Sequence, residues 1–309
     1  MKILFVSPDP KPQRWITLLQ AALPDAQWIV WHADLPPQQA DYALVWQPPA
    51  ELFEREPGLK ALFNLGAGVD ALLRLPALPR TLPIYRLEDA GMSAQMAEYL
   101  LHQIAEITRS MPVYRQQQQQ QIWKMQPPCR RHEWPIGFLG LGHISQKAAR
   151  LLQLLEYPVS CWSRSPKQLD GIHSYSDDNE LPAFLKNTRI LINTLPLTPE
   201  TAGCLNQSLF TQLPPNSVLI NVGRGQHLQE QDLLSALDSG TLQQAVLDVF
   251  ATEPLPAEHP FWKHPKITLT PHMSAPTLRE ETVRQITDKL KALAQGLTIT
   301  GEVDRQRGY

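Results

Sequence analysis

Arg224, Glu253 and His272 each stand just beyond a short apolar run. The segments are Asn221-Val-Gly-Arg-Gly225, Asp248-Val-Phe-Ala-Thr-Glu253-Pro-Leu-Pro256 and Thr270-Pro-His272-Met-Ser274. An arginine fork suits a planar oxyanion, and a histidine exchanges protons near neutral pH. Taken singly, each also reads as an ordinary loop residue. Three such side chains on successive strand ends of one sheet, where its ligand crevice lies, are much harder to dismiss as structural.

A second pattern binds rather than reacts. Ile136-Gly-Phe-Leu-Gly140-Leu-Gly142-His-Ile-Ser145 places Gly-x-Gly-x-x-Ser between an apolar run and a helical pattern. Gly140 permits a tight turn, Gly142 lets the backbone approach a pyrophosphate, and the helix N-terminus faces that anion. Ser145 stands where a third glycine or alanine is usual, which questions packing rather than chemistry. About 20 residues on, the next strand should end in an acid if the ribose 2′-hydroxyl of NAD is to be bound. It ends instead in Ser163-Arg164-Ser165-Pro-Lys167. Arginine and lysine among serines suit a 2′-phosphate, so NADPH is expected in preference to NADH. The competing reading is a basic surface turn.

These residues need a frame, and the apolar pattern supplies one. Strands are expected at 3–6, 28–31, 42–46 and 62–65, then at 136–139, 159–162, 190–194, 218–222, 245–249 and 267–270. Helical patterns at 15–22, 144–155, 231–237 and 277–295 fall among them. Short strands alternating with helices predict parallel sheets covered on both faces. Between the two groups, Ser93 reads as the cap of a long helix, with Met96, Leu100, Ile104, Ile107 and Met111 on one apolar face. Glutamines 116–121 read as its solvated end. Pro127-Pro128 then breaks the chain, so from periodicity the second unit begins near Trp134.

The 309 residues amount to about two domains at ~150 each. A net charge of -2 offers no basic field for nucleic acid or an anionic membrane. Three scattered cysteines without a Cys-x-x-Cys pair predict neither a metal site nor a disulfide framework, as in a reducing compartment. No run of ~18 apolar residues predicts a membrane span, and the opening Lys-Ile-Leu-Phe-Val-Ser is too short for a secretion signal. A cytoplasmic location is expected.

Several segments together resemble the D-isomer-specific 2-hydroxyacid dehydrogenase family. They are Gly140-Leu-Gly-His-Ile144, Leu195-Pro-Leu-Thr-Pro-Glu-Thr201, Asn221-Val-Gly-Arg-Gly225, Leu247-Asp-Val-Phe250 with Glu253-Pro-Leu-Pro256, and Thr270-Pro-His272. The resemblance covers nearly the whole chain. Tyr42-Ala-Leu-Val-Trp46, Leu65-Gly-Ala-Gly-Val-Asp70, Arg86-Leu-Glu-Asp-Ala-Gly-Met92, Cys161-Trp-Ser-Arg164 and Val303-Asp-Arg-Gln-Arg-Gly-Tyr309 are similar to its bacterial branch that reduces glyoxylate and hydroxypyruvate.

The resemblance implies two doubly wound parallel-sheet domains, with a Rossmann cofactor domain at 96–274 inserted into a flavodoxin-like substrate domain at 1–95 and 275–309. It implies that His272 is the general acid, oriented by Glu253, while Arg224 binds the 2-oxo acid's carboxylate and polarises its carbonyl. His143 and Ile144 would meet the pyrophosphate, Leu195 and Pro196 would line the cofactor, and Val222 and Asp248 would hold the nicotinamide end. Gly66, Ala67 and Gly68 would present amides to the substrate carboxylate. Trp46 and Met92 either wall the substrate pocket or pack a core. The small residues usual after the histidine are replaced by Met273-Ser274-Ala275, which leaves the pocket's shape there open. The resemblance further implies domain closure over substrate and a homodimer built on the long helix. Two rivals remain: a dehydrogenase of a larger D-2-hydroxy acid, and a catalytically inactive NAD(P)-sensing protein. Retention of Arg224, Glu253 and His272 argues against the latter.

Overall fold

The computed structural model describes residues 1–309. Contacts divide the chain into two units, one of Met1–Met92 with Thr277–Tyr309 and one of Ser93–Pro276. The expected boundaries were 95/96 and 274/275.

The first unit holds five strands, all parallel: β1 (Lys2–Val6), β2 (Gln27–Val30), β3 (Tyr42–Val45), β4 (Ala61–Asn64) and β5 (Ile84–Tyr85). Their order is β2-β1-β3-β4-β5, a doubly wound flavodoxin-like sheet. Leu4, Val6, Ala43, Val45, Leu62 and Ile84 share one core with Leu52 and Phe53 of helix α2 (Glu51–Arg55). Helices α1 (Gln13–Ala22), α3 (Asp70–Leu73) and α10 (Arg279–Ala294) complete the unit. The two-residue β5 is too short for periodicity to reveal.

The second unit holds seven parallel strands: β6 (Ile136–Leu139), β7 (Val159–Ser163), β8 (His173–Ser176), β9 (Ile190–Asn193), β10 (Ser217–Asn221), β11 (Leu242–Leu247) and β12 (Ile267–Leu269). Their order is β12-β11-β10-β9-β6-β7-β8, the Rossmann arrangement extended by one strand. Alternation splits its side chains between two cores. Ile136, Phe138, Ile190, Ile192, Val218, Ile220 and Val246 pack with Met96, Leu100, Ile104 and Ile107 of α4 (Met92–Thr108) and with Ala148, Ala149 and Leu152 of α6 (His143–Leu154). Leu139, Leu191, Leu219 and Leu247 face the other way, onto α7 (Asp177–Lys186), α8 (Gln207–Phe210) and α9 (Glu230–Asp238). The edge strand β8, His-Ser-Tyr-Ser, is polar and escaped the apolar pattern.

The single long helix expected after Ser93 is two helices. Ser93 is no cap: it is a buried residue in the first turn of α4. Pro112 cannot continue that helix, because its ring would meet the carbonyl four residues back. The chain turns at Ser110, whose φ is 54°, and restarts as α5 (Met111–Gln119). The apolar stripe therefore ends at Ile107, and Met111 is exposed. The glutamine run forms the exposed end of α5 and the turn beyond it. No helix is long and apolar enough to cross a membrane.

Candidate active site

His272 follows β12, and Glu253 lies in the loop after β11. The Nδ1 atom of His272 is 2.8 Å from Oε2 of Glu253, while Oε1 accepts the backbone N–H of Phe250 at 2.9 Å. The carboxylate thus holds the proton on Nδ1 when the ring is neutral, and the half-exposed ring presents Nε2 outward. A donor and an orienting acceptor are what general acid chemistry requires.

The backbone at His272 has a φ of 50°, a conformation uncommon for any residue but glycine. Asp248 holds it there. Fully buried at the end of β11, its Oδ1 accepts from the Thr270 hydroxyl at 2.6 Å and from the Met273 N–H at 2.9 Å. Its Oδ2 accepts from the Ser274 N–H at 2.9 Å, and its main-chain carbonyl accepts from the His272 N–H at 2.8 Å. Sequence reasoning linked Asp248 to the nicotinamide; in the structure its carboxylate also anchors the histidine loop.

Arg224 leads the short helical turn Gly225–His227 and is partly buried, its guanidinium donating to the Gly223 carbonyl at 2.8 Å. A Cβ on Gly225 would lie 1.8 Å from the Phe250 carbonyl carbon. Only glycine lets this turn press on the backbone that leads to Glu253, and Gln226 ties the same turn to the Ala251 carbonyl at 3.1 Å. Beneath Arg224 lie three fully buried polar side chains that the sequence did not single out: Asn193, Asn221 and His227.

At the end of β6, Gly140 adopts a φ of 78°, which accounts for glycine. Gly142 stands at the start of α6, which no side chain caps. A Cβ at Gly142 would meet nothing within 4 Å, so open space lies before the helix at His143 and Ile144. Ser145 is buried, donating to the Gly142 carbonyl at 3.3 Å and accepting from the Thr194 hydroxyl at 3.4 Å, so the departure from glycine is absorbed by hydrogen bonds. Leu195 and Pro196 follow the adjacent strand, and the Leu195 side chain lies 3.1 Å from where a Gly140 Cβ would stand. Val222 is buried at the end of β10. Arg164, Ser165 and Lys167 extend from the end of β7, where the buried Ser163 hydroxyl donates to the Ser165 carbonyl at 2.8 Å. Near Arg164, the Glu200 carboxyl is held low mainly by the Thr198 hydroxyl, with the arginine's charge assisting.

In the first unit, the loop after β4 carries Gly66, Ala67 and Gly68. Buried Asn64 donates to the Gly66 and Gly68 carbonyls, each at 2.9 Å, and no protein group accepts from the three backbone N–H groups of the loop. The Trp46 ring covers Gly66, where a Cβ would come within 2.5 Å of it, yet the side chain is 39% exposed. Met92 is buried, 5% exposed, as core packing requires.

The family model for the NAD-binding domain of D-isomer specific 2-hydroxyacid dehydrogenases matches residues 101–274. The glyoxylate/hydroxypyruvate reductase A of Yersinia enterocolitica is 46% identical over 314 residues, covering 100% of both chains. The chain belongs to the D-isomer specific 2-hydroxyacid dehydrogenase family. A dehydrogenase of that family from Xanthobacter autotrophicus, solved with NADPH and MES, has a TM-score of 0.94 and 36% identity, covering 100% of this chain and 99% of that one. An NADPH-dependent glyoxylate/hydroxypyruvate reductase from Sinorhizobium meliloti, solved with NADP and sulfate, has a TM-score of 0.93 and 33% identity, with the same coverage.

The residues present fit the dinucleotide of such a dehydrogenase. Open space fronts Gly142 and α6, and the 163–167 turn carries Arg164 and Lys167 with no carboxylate of its own, Glu200 being an acidic neighbour of Arg164. Sequence reasoning gave no individual role to several polar residues hydrogen-bonded around these loops: Asn64, Tyr99, Asn193, Asn221, His227 and Thr270. They are interior polar groups, recognisable only once their partners are placed.

Proposed function

We propose that this dehydrogenase reduces short 2-oxo acids, glyoxylate to glycolate and hydroxypyruvate to D-glycerate, with NADPH preferred over NADH. The observation that carries the proposal is the 2.8 Å pair of His272 and Glu253, which leaves the other ring nitrogen, Nε2, facing outward from a loop clamped by Asp248. When bound, NADPH would supply the hydride for reduction at the substrate's C2. Protonated His272 gives its Nε2 proton to the carbonyl oxygen as charge develops there, and Glu253 stabilises the imidazolium beforehand. Arg224 holds the carboxylate and polarises the carbonyl; in the first unit, the unpaired amides of Gly66, Ala67 and Gly68 offer donors to an anion. Trp46 limits substrate size above Gly66. His143, Ile144, Leu195, Pro196 and Val222 hold the dinucleotide, and Ser163, Arg164, Ser165 and Lys167 bind its 2′-phosphate.

The experiment is NADPH oxidation with glyoxylate, hydroxypyruvate and phenylpyruvate in parallel, repeated with NADH. Fast turnover of the first two with NADPH is expected. Turnover of phenylpyruvate alone would reassign the substrate to a larger acid, and NADPH binding without turnover would make the chain a sensor.

We further propose a cytoplasmic homodimer. The three cysteines are unpaired, in keeping with a reducing compartment. Met111, Val113, Ile122, Trp123 and Met125 expose apolar side chains along one segment, Trp123 fully, and a second copy of this chain is the occupant that would cover them. Light scattering should give a dimer mass that Trp123→Asp lowers; a wild-type monomer overturns the assignment.

A further inference from the structure

His227 is a fully buried histidine to which the proposed reaction gives no role. Its ring bridges two loops that do have one. Nδ1 faces two N–H donors, the backbone of Arg224 at 3.2 Å and the side-chain amide of Asn193 at 2.8 Å. An atom facing two donors must be an acceptor, so the proton sits on Nε2. Nε2 then donates to the Pro196 carbonyl at 3.2 Å.

Every neighbouring polar group agrees with that tautomer. Asn193 uses its second amide hydrogen on Oδ1 of Asn221 at 2.9 Å, and its own Oδ1 accepts the Leu195 N–H at 3.3 Å. Asn221 accepts the Gly223 N–H at 3.2 Å and donates to the Arg224 carbonyl at 3.1 Å. Both backbone groups of Arg224 are therefore held by buried side chains. Gly223 makes room for the network, since a Cβ there would lie 2.8 Å from the Asn193 amide nitrogen and 3.2 Å from the histidine Nδ1.

We propose that His227 is a positioning residue whose two nitrogens serve different ligands: Nδ1 sets the Arg224 loop for the 2-oxo acid, and Nε2 sets the Leu195-Pro196 loop for the dinucleotide. This rests on the reading of Arg224 as the carboxylate ligand and of Leu195-Pro196 as cofactor contacts. Being buried and rigid, the ring links the two loops without touching either ligand. Each half of its role then shows in a different constant.

Asparagine and glutamine separate the halves. His227→Asn keeps an acceptor near the Nδ1 position and cannot reach Pro196; it should raise KM for NADPH about tenfold and leave KM for glyoxylate near wild type. His227→Gln keeps a donor at the Nε2 reach and loses the acceptor; it should lower kcat/KM for glyoxylate about tenfold with NADPH binding retained. Equal losses in both constants for both variants, or no loss in either, overturn the division of labour. Should neither variant fold, ¹⁵N shifts of the wild-type imidazole decide: protonation on Nε2 is expected, and protonation on Nδ1 overturns the proposal. Arg224→Gln is the control for the underlying reading. An unchanged KM for glyoxylate there would remove Arg224 as the carboxylate ligand, whatever the His227 variants show.

Discussion

The Tyr99 hydroxyl lies 2.7 Å from that of Thr270, which donates onward to Asp248 at 2.6 Å. Since Thr270 spends its one hydrogen on the carboxylate, it accepts from Tyr99, and the chain runs in one direction from α4 to the anchor of His272. Burial pushes the Tyr99 hydroxyl up to about 12, so it remains a donor through the alkaline range.

Removing that donor tests whether α4 tunes the histidine loop. Tyr99→Phe keeps the ring and should cost about 0.5–1.5 kcal/mol of stability. We expect kcat for 2-oxo acid reduction to fall several-fold while KM for NADPH holds; a fall in stability alone would confine Tyr99 to packing. The pH sign follows from a folded value raised above the ordinary 10.0. The neutral phenol's contribution is complete below about pH 10 and is lost as pH rises toward about 12, where the unfolded chain ionises first. Alkaline denaturation of wild type should show this loss, and the phenylalanine variant should lack that share of it.

His272→Ala should lower turnover by roughly 10²–10⁴ with the dissociation constant of NADPH little changed. Comparable losses in both would make the histidine structural. Glu253→Gln should lower kcat by a smaller factor, because the ring stays in place while its charge loses support. Oxidation of the hydroxy acid, in which the same nitrogen must accept a proton, should fall by a comparable factor. Stopped-flow rates in both directions provide the check.

For the cofactor, Arg164→Ala should raise KM for NADPH about ten- to a hundredfold, the scale of lost charge-assisted bonds, and leave NADH nearly unaffected. Initial rates with both nucleotides measure it directly. An equal effect on the two would take Arg164 off the 2′-phosphate.

The parts legible in the sequence were those with local causes. Alternating apolar runs announced both parallel sheets, because a strand covered on both faces must be apolar along its length. Gly140 and Gly142 were legible because a tight turn before a helix leaves few other choices. The His272–Glu253 pairing came through family resemblance, since 19 residues of sequence separate the two. What stayed hidden depends on distant partners. Asn193, Asn221 and His227 are common residue types, and only the paired strands β9 and β10 bring them together. The break between α4 and α5 was missed because the apolar repeat ran on to Met111, the residue just before Pro112, whose ring mattered more than the repeat.

Gly225 offers the sharpest test of how Arg224 is placed. Its φ is not in the left-handed region, so glycine is needed there for contact rather than for conformation. A Cβ would lie 1.8 Å from the Phe250 carbonyl carbon and 2.3 Å from the Ala251 nitrogen, both main-chain atoms with no rotamer to yield. Gly225→Ala must therefore part the arginine turn from the Phe250 loop. Overpacking of this kind costs about 1–3 kcal/mol, and the displacement moves Arg224 and the Glu253 loop against each other. We expect a protein that still folds, with a lowered Tm and with kcat/KM for glyoxylate reduced at least tenfold at temperatures well below it. Loss of stability with full activity in the surviving fold would show that the close contact serves packing alone. Activity lost with NADPH binding intact would show that the placement of Arg224, and not the cofactor site, depends on it.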